Sequence, residues 1–141
     1  MEELKILVLC TGNSCRSQIA EAYLRLHAPA HYKIYSAGIE THGVNPVAIK
    51  IMTEVGIDIS NQTSNHMEEY SHLSFDVILT VCDNAKENCP YLPSEAIKYH
   101  HNFKDPANAV GSEVEILEEF RGVREQIKVY CQDLIHYISQ R

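Results

Sequence analysis

One short segment near the N-terminus combines a nucleophile with a cation at a spacing that suits binding and attack of an anion. Cys10 and Arg16 are separated by five residues in this segment, residues 10–17, here called the cysteine loop. A loop of that length can wrap around one tetrahedral oxyanion, since its backbone N–H groups point inward and the following helix adds its positive N-terminal end. The residues expected to bind the oxyanion are Thr11, Gly12, Asn13, Ser14, Cys15, Arg16 and Ser17.

The side chains of Cys10 and Arg16 are expected to do the chemistry of this loop. A guanidinium group offers a planar fork of donors that matches two oxygens of an oxyanion. A helix N-terminus and a nearby cation both lower the pKa of a thiol, so we expect Cys10 to be a thiolate nucleophile. The structural alternative is a buried cysteine at a strand end and a surface arginine at a helix start. The largely apolar run at residues 4–9, the spacing, Gly12 and Ser17 together favour the functional interpretation.

A second candidate is the carboxylic acid of the Asp105-Pro106 pair. A protonated carboxyl group held over the cysteine loop could protonate an oxygen as it leaves the bound anion. Taken alone, an Asp-Pro pair is usually a turn. Its position shortly after a predicted strand favours the role of general acid.

A third candidate is the pair of Cys82 and Cys89. Cys82 directly follows a predicted strand, and the two thiols could form an internal disulfide if the segment between them moves. The alternative is two unrelated small residues, one of them buried. The chain has five cysteines, and structural disulfides are rare in a cytosolic protein. Neither Cys10 with Cys15 nor Cys82 with Cys89 has the close spacing of a zinc knuckle.

The length and the net charge of the chain limit the classes of function that it could have. We expect one domain over residues 1–141, which is long enough to bury a single core. The net charge of −7 disfavours nucleic acid and anionic membranes as partners. The sequence has no apolar run of about 20 residues and no basic leader, so a soluble, cytoplasmic protein is expected. The eight histidines are dispersed, and solvated or hydrogen-bonded side chains are the expected interpretation.

Alternating strands and helices must position these residues. We expect strands at residues 4–9, 32–37, 75–81 and 96–99 and helices at residues 17–27, 46–55 and 65–70. The first helix should bury Ile19, Tyr23 and Leu26, and Cys131 should be a core residue. Apolar residues spaced three and four apart from Ile116 to Ile138 predict a long last helix that is bent or broken at Gly122.

This pattern predicts an α/β fold: a flavodoxin-like three-layer sandwich with a four-stranded parallel sheet of order 2-1-3-4 and helices on both faces. Ligands of such folds bind beyond the carboxyl ends of the strands. Cys10, Cys82 and Asp105 all follow predicted strands. We therefore expect them to converge at one edge of the sheet.

With these residues in view, the chain resembles the thioredoxin-coupled arsenate reductases, which are built on the low-molecular-weight tyrosine phosphatase fold. The resemblance runs nearly end to end. The cysteine loop alone fits either branch, and the Cys82 and Cys89 pair selects the reductase branch. The segments that carry it are residues 10–17, 35–38, 45–46, 56–58, 82–90, 105–106 and 123–124, together with Met52.

The resemblance implies reduction of arsenate to arsenite by a relay of three thiols. Cys10 attacks arsenate held by Arg16 and the loop amides, and Asp105 protonates the departing oxygen. Cys82 then attacks Cys10 and releases arsenite, and Cys89 takes over to leave a Cys82–Cys89 disulfide.

Reduced thioredoxin would restore that disulfide to thiols, so no bound cofactor is implied. Phosphate and sulfate would compete as oxyanions, weak phosphatase activity would remain, and a monomer is expected. Ser17 would hydrogen-bond the Cys10 thiolate, and Cys15 would lie outside the relay.

The chain departs from the family pattern at two places. Some relatives bind potassium through residues that match Asn13, Glu21 and Ser36 together with an aspartate; Asn65 replaces the aspartate here and removes its charge. The family often has Trp-Gly before the Asp-Pro pair, where this chain has residues 101–102, His-Asn.

Two other functions remain open from the sequence. The first is a protein tyrosine phosphatase, although Ala107 stands where that branch typically has a tyrosine after its Asp-Pro pair. The second is a non-catalytic module that binds oxyanions or senses redox state. Retention of Arg16 and Asp105 with all three thiols argues against this second alternative.

Overall fold

The structure is a computed structural model, and it describes residues 2–88 and 96–140. Its strands form one parallel sheet in the order β2-β1-β3-β4, so the predicted fold and strand order are confirmed. The strands are β1 (Leu4–Cys10), β2 (Tyr32–Gly38), β3 (Val77–Thr80) and β4 (Ile97–His100).

Helices pack against this sheet in the manner of a flavodoxin-like sandwich. Helix α1 contacts β1, β2 and α4, helix α2 contacts α4, and helix α3 contacts β1 and β3. Short 3-10 helices occur at Met67–Tyr70 and Pro106–Asn108. The α-helices are α1 (Arg16–His27), α2 (Pro46–Thr53), α3 (Asp83–Asn88) and α4 (Glu113–Ser139).

Strand β1 lies at the centre of the sheet because its sequence can be buried on both faces. Residues 6–9 are all apolar and at most 1% exposed. A parallel strand covered by helices requires such a run. Register places Leu9 beside Thr80 and Cys10 beside Gly38, so the ends of β1, β2 and β3 lie level.

The segment directly after Cys82, residues 83–88, forms helix α3. Its first backbone donors find acceptors that are remote in sequence or outside the helix. The N–H of Asp83 donates to Asn102 Oδ1 at 3.0 Å, and that of Ala85 to the Cys82 sulfur at 3.4 Å. Helix starts leave such donors without intrahelical partners, so these contacts stabilise the helix. Cys89 lies outside the described residues.

Two further features of the helices differ from what was expected. Helix α4 continues through Gly122, so the expected break does not occur, and Ser112 caps its start. In α1, Leu26 is 60% exposed while Leu24 is fully buried. The buried face of α1 is therefore set by where it meets β1, β2 and α4. In the described part of the chain, no helix is long and apolar enough to cross a membrane.

Candidate active site

The carboxyl edge of the sheet brings the three chemical segments together, as their positions after predicted strands indicated. Cys10 is the last residue of β1, Cys82 follows β3 by two residues, and Asp105 follows β4 by five. The segments are joined by backbone hydrogen bonds: Val81 N–H donates to Leu9 at 3.0 Å and Phe103 N–H to Val81 at 3.1 Å.

The cysteine loop is held open from outside by the segment that follows β2. Four loop carbonyls accept backbone N–H groups from this segment, so they point away from the loop centre. Within the described residues, no protein acceptor takes the backbone N–H groups of residues 12–15. These donors are the expected nest for an anion. The four bonds are Ile39 to Cys10 (3.3 Å), Glu40 to Thr11 (2.9 Å), His42 to Gly12 (2.9 Å) and Asn45 to Ser14 (2.9 Å).

A cavity of about 150 Å³ lies above the loop and is called the loop cavity. It is the size of site that one tetrahedral oxyanion needs, and Ala107 leaves one side without an aromatic wall. Its lining residues are Cys10, Thr11, Gly12, Ser14, Cys15, Arg16, His42, Asp105 and Ala107.

Two glycines allow the loop to pack closely against its neighbours. A Cβ on Gly12 would overlap the ring of His42. A Cβ on Gly38 would lie 2.7 Å from the carbonyl oxygen of Thr11 and 2.8 Å from the backbone nitrogen of Asn13. These contacts at Gly38 are with backbone, which cannot move aside without reshaping the cysteine loop.

We expect Gly38→Ala to lower the free energy of unfolding by about 2 kcal/mol, the usual scale for a side chain forced into filled space. It should also weaken phosphate binding, because the loop must shift. Gly122→Ala is the matched control: nothing lies within 4 Å of its Cβ position, and it should stabilise α4 by up to about 1 kcal/mol. Chemical denaturation of both variants checks the prediction, which equal stabilities would contradict.

Asn13 and Ser17 lie beneath the loop rather than in the cavity. Asn13 has φ of 47°, a left-handed conformation that asparagine tolerates better than most residues. Its side-chain amide donates to Ser17 at 2.8 Å and to Ser36 at 2.9 Å. In the described residues the Ser17 hydroxyl pairs with Asn13, and no hydrogen bond joins it to Cys10. Both residues therefore support the loop from below.

The residues that the resemblance assigns to a potassium site are paired with protein donors here. The side-chain oxygen of Asn13 accepts the Asn65 backbone N–H at 2.7 Å. Glu21 accepts the Ser36 hydroxyl at 2.5 Å and pairs with Arg25 at 2.9 Å. The side-chain oxygen of Asn65 accepts the Thr63 hydroxyl at 2.6 Å.

Arg16 is placed at the cavity by two contacts with the segment after β4. Its Nη1 donates to the Phe103 carbonyl oxygen at 3.0 Å, and its Nη2 lies 3.5 Å from Asp105 Oδ2. The side chain is only 12% exposed. The second oxygen of Asp105 accepts the Ala107 N–H at 3.0 Å and so starts the 3-10 helix. Both charged groups are therefore fixed before any anion binds.

Arg16→Lys should impair catalysis severely although the charge is kept. A lysine ammonium cannot hold the Phe103 carbonyl and still offer a planar fork to two oxygens of the anion. We expect kcat/KM to fall at least about a hundredfold, the scale of losing two charge-assisted hydrogen bonds. Steady-state kinetics and phosphate titration check this, with Arg121→Lys on the outer face of the molecule as the control. Near-normal kinetics would mean that the anion binds elsewhere.

Cys82 lies beside the cysteine loop. Its sulfur is 3.4 Å from the Thr11 hydroxyl. Because the Thr11 oxygen already accepts the Asn84 side-chain amide at 2.9 Å, its own proton is directed to Cys82. With the Ala85 N–H, the Cys82 sulfur has two donors.

These donors favour a thiolate at Cys82. Interaction with the Cys10 thiol lowers the pKa of Cys82, with Thr11 and Ala85 adding to the effect. The same interaction and burial raise the pKa of Cys10, and Arg16 opposes them in part. The positive loop field thus acts on two coupled thiols, and the thiolate at Cys10 stays a prediction.

Burial favours the neutral thiol at Cys15 and Cys131, the two other cysteines of the described residues. Burial raises the pKa of Cys15 to about 12, and the Asp105 charge adds to this effect. Burial alone raises that of Cys131 to about 12 in the core, as its sequence position indicated. The four cysteines among the described residues are all free thiols. The expected pairing of Cys82 with Cys89 cannot be placed, since Cys89 lies outside those residues.

Sequence reasoning missed three parts of the site: the segment 39–45, His42 and the Phe103 carbonyl. One signal could have found the first two, because residues 39–45 follow β2 and so begin at the same edge of the sheet. The carbonyl that holds Arg16 has no side-chain signal at all. Over the described residues, no cluster of three histidine, cysteine or acidic side chains could bind a metal.

The fold and site agree with what this chain is similar to. It belongs to the low molecular weight phosphotyrosine protein phosphatase family, whose pattern matches residues 5–141.

Within that family, its relatives include arsenate reductases, so the resemblance inferred from the sequence is confirmed. Arsenate reductase 1 of Staphylococcus epidermidis is 45% identical over 138 residues, which cover 98% of this chain and 100% of that protein. The arsenate reductase of Bacillus subtilis is 47% identical and covers 90% and 91%. A solved structure of an arsenate reductase in the phosphate binding state superposes with a TM-score of 0.81 at 35% identity, covering 96% and 98%.

Proposed function

We propose that this protein is an enzyme that reduces arsenate to arsenite through Cys10, Cys82 and Cys89, with electrons from thioredoxin. The observation that carries the proposal is the position of Cys82, whose sulfur lies 3.4 Å from the hydroxyl of Thr11, a residue that lines the loop cavity next to Cys10. A phosphatase needs one nucleophile there, whereas a reductase needs a second thiol within reach of the first. The arsenate reductases among the relatives support the same choice.

The first step is attack of the Cys10 sulfur on arsenic. Cys10 gives its proton to an oxygen of the bound anion and attacks as the thiolate, which Arg16 and the loop N–H groups favour. An arsenic–sulfur bond forms and one arsenic–oxygen bond breaks. The protonated carboxyl of Asp105 donates a proton to the departing oxygen, which leaves as water. Arg16 and the loop N–H groups hold the other oxygens, and arsenic remains pentavalent.

The second step transfers two electrons to arsenic. The Cys82 thiolate attacks the Cys10 sulfur, so that a Cys10–Cys82 disulfide forms as the arsenic–sulfur bond breaks. The bonding pair stays with arsenic, which takes up protons from water and leaves as trivalent arsenite.

The third step moves the oxidation away from the cavity. The Cys89 thiolate attacks the Cys82 sulfur, a Cys82–Cys89 disulfide forms, and Cys10 leaves as a thiolate. A thioredoxin dithiol then reduces this disulfide, becomes oxidised itself and restores all three thiols. The relay needs free thiols and the thioredoxin dithiol, and both fit a cytoplasmic location, where thiols are kept reduced.

Asp105→Asn should slow the chemical step at least about a hundredfold, the usual effect of losing a general acid. The amide still accepts the Ala107 N–H, so the segment should keep its shape and oxyanion binding should survive. Rapid-quench measurement of the first arsenite, with phosphate titration beside it, separates the two effects. Asp133→Asn, on the exposed side of α4, is the control. Lost binding with an unchanged chemical step would make Asp105 structural.

A coupled assay tests the proposed function directly. Thioredoxin, thioredoxin reductase and NADPH are mixed with the protein, and the reaction is started with arsenate. We expect NADPH oxidation that depends on arsenate and on thioredoxin together. No arsenate-dependent oxidation, with thiols left free, would contradict the proposal and leave a phosphatase.

Weak phosphatase activity is the second candidate function, supported by Cys10, Arg16 and Asp105 around one cavity. Ala107 gives an aromatic substrate ring little to pack against. We expect slow hydrolysis of para-nitrophenyl phosphate as a side reaction.

A further inference from the structure

His42 forms one wall of the loop cavity, although the relay does not use it. Its backbone N–H donates to the Gly12 carbonyl at 2.9 Å, which fixes its position on the loop. Its ring lies against Gly12, and Nδ1 is the ring atom nearest to where a Gly12 Cβ would be. Both residues line the cavity, so this ring faces the space that the anion fills.

The second ring nitrogen of His42 is held by a carboxylate. Nε2 lies 2.8 Å from Glu40 Oε2, and Glu40 is itself fixed by the bond of its backbone N–H to the Thr11 carbonyl. A carboxylate oxygen only accepts, so Nε2 must carry the proton of this hydrogen bond. In the neutral ring, Nδ1 then carries a lone pair and acts as a hydrogen-bond acceptor.

We propose that His42, oriented by Glu40, selects oxyanions that carry a hydroxyl group and discriminates against sulfate. Near neutral pH, arsenate and phosphate retain at least one hydroxyl, which can donate to Nδ1. Sulfate has no proton to donate, so its oxygen would face a lone pair. The inference rests on the proposed function, since it assigns the substrate class of the same cavity.

The other cavity groups do not duplicate this role. Arg16 and the loop N–H groups only donate, so they bind sulfate and phosphate alike. The Thr11 and Ser14 hydroxyls that also line the cavity can donate as well as accept, so they can pair with either anion. Asp105 acts as the general acid of the proposed step and donates to the anion, while its second oxygen accepts the Ala107 N–H. Nδ1 of His42 differs from these groups, since in this tautomer it can only accept.

The test compares sodium phosphate with sodium sulfate by calorimetric titration of the full reduced chain, at a mildly alkaline pH where imidazole groups are largely neutral. His42→Phe keeps a ring over Gly12 and removes the acceptor. We expect it to weaken phosphate binding about tenfold, the scale of one hydrogen bond to a charged ligand, and to leave sulfate binding within about twofold. Glu40→Gln removes the carboxylate that fixes the tautomer of His42, so it should also lower the preference for phosphate over sulfate. His72→Phe, at an exposed position outside the cavity, should change neither affinity.

Turnover gives a second readout. For His42→Phe we expect the KM for arsenate to rise about tenfold with kcat little changed, because a lost binding contact acts on KM. If His42→Phe lost phosphate and sulfate affinity equally, His42 would act as a cation or as a steric wall, and the inference would be overturned. Unchanged affinities would also overturn it. If neither anion binds the wild-type chain, the proposed function fails and this inference fails with it.

Discussion

Cys10→Ser should abolish arsenate reduction and the phosphatase side reaction together. A serine hydroxyl at this position is a far weaker nucleophile than the cysteine thiolate. Serine is close in size to cysteine, so the fold and the loop N–H groups should be kept and phosphate should still bind. We expect turnover to fall at least about a thousandfold in the coupled assay, the scale of removing a catalytic nucleophile.

Cys131→Ala is the matched control for a lost thiol, since Cys131 is buried in the core away from the loop cavity. It should lower the free energy of unfolding by about 1 kcal/mol and leave turnover unchanged. Appreciable arsenate reduction by Cys10→Ser would remove Cys10 from the mechanism. Loss of phosphate binding in that variant would mean that the substitution had disturbed the loop.

The second large effect should distinguish a reductase from a phosphatase. Cys82→Ser and Cys89→Ser should each abolish multiple turnover with thioredoxin. Both should leave hydrolysis of para-nitrophenyl phosphate nearly intact, because Cys10, Arg16 and Asp105 remain. A serine hydroxyl at position 82 can still accept the hydrogen bonds of Thr11 and Ala85, which helps to preserve the loop.

The two variants should differ from each other within a single turnover. Cys89→Ser keeps the thiol that attacks Cys10, so it should release one arsenite and stop with a Cys10–Cys82 disulfide. Cys82→Ser lacks that thiol and should release little arsenite. Rapid-quench arsenite measurement and peptide mapping after one equivalent of arsenate provide the test.

In the wild-type protein, the same mapping should find Cys82 joined to Cys89. Exchange between them requires the segment 83–88 to rearrange, since it is helical with Cys82 buried in the reduced form. Equal single-turnover yields from the two serine variants would contradict the order of the relay. If all thiols stay free and arsenate is not reduced, the protein would be a phosphatase instead.

The sequence by itself determined the parts of this protein that depend on local patterns. The apolar run in β1 can only be a buried central strand, and the alternation of strands and helices leaves few sheet orders. The spacing of Cys10 and Arg16 defines a loop around one anion wherever that loop is placed. Cys82 and Asp105 follow strands of the same sheet, so their convergence needed only the rule for parallel strand ends.

The tertiary structure alone decided which groups those residues meet. The pKa of Cys82 is lowered because the Cys10 thiol interacts with it and because Thr11 and Ala85 donate to its sulfur. His42 reaches the cavity because residues 39–45 form backbone hydrogen bonds with the cysteine loop, and side-chain types do not predict such bonds. Leu26 is exposed because contacts with α4 and the sheet, rather than the period of α1, choose its buried face. Each of these outcomes depends on hydrogen bonds or packing between segments distant in the chain, and no local pattern of residues encodes such contacts.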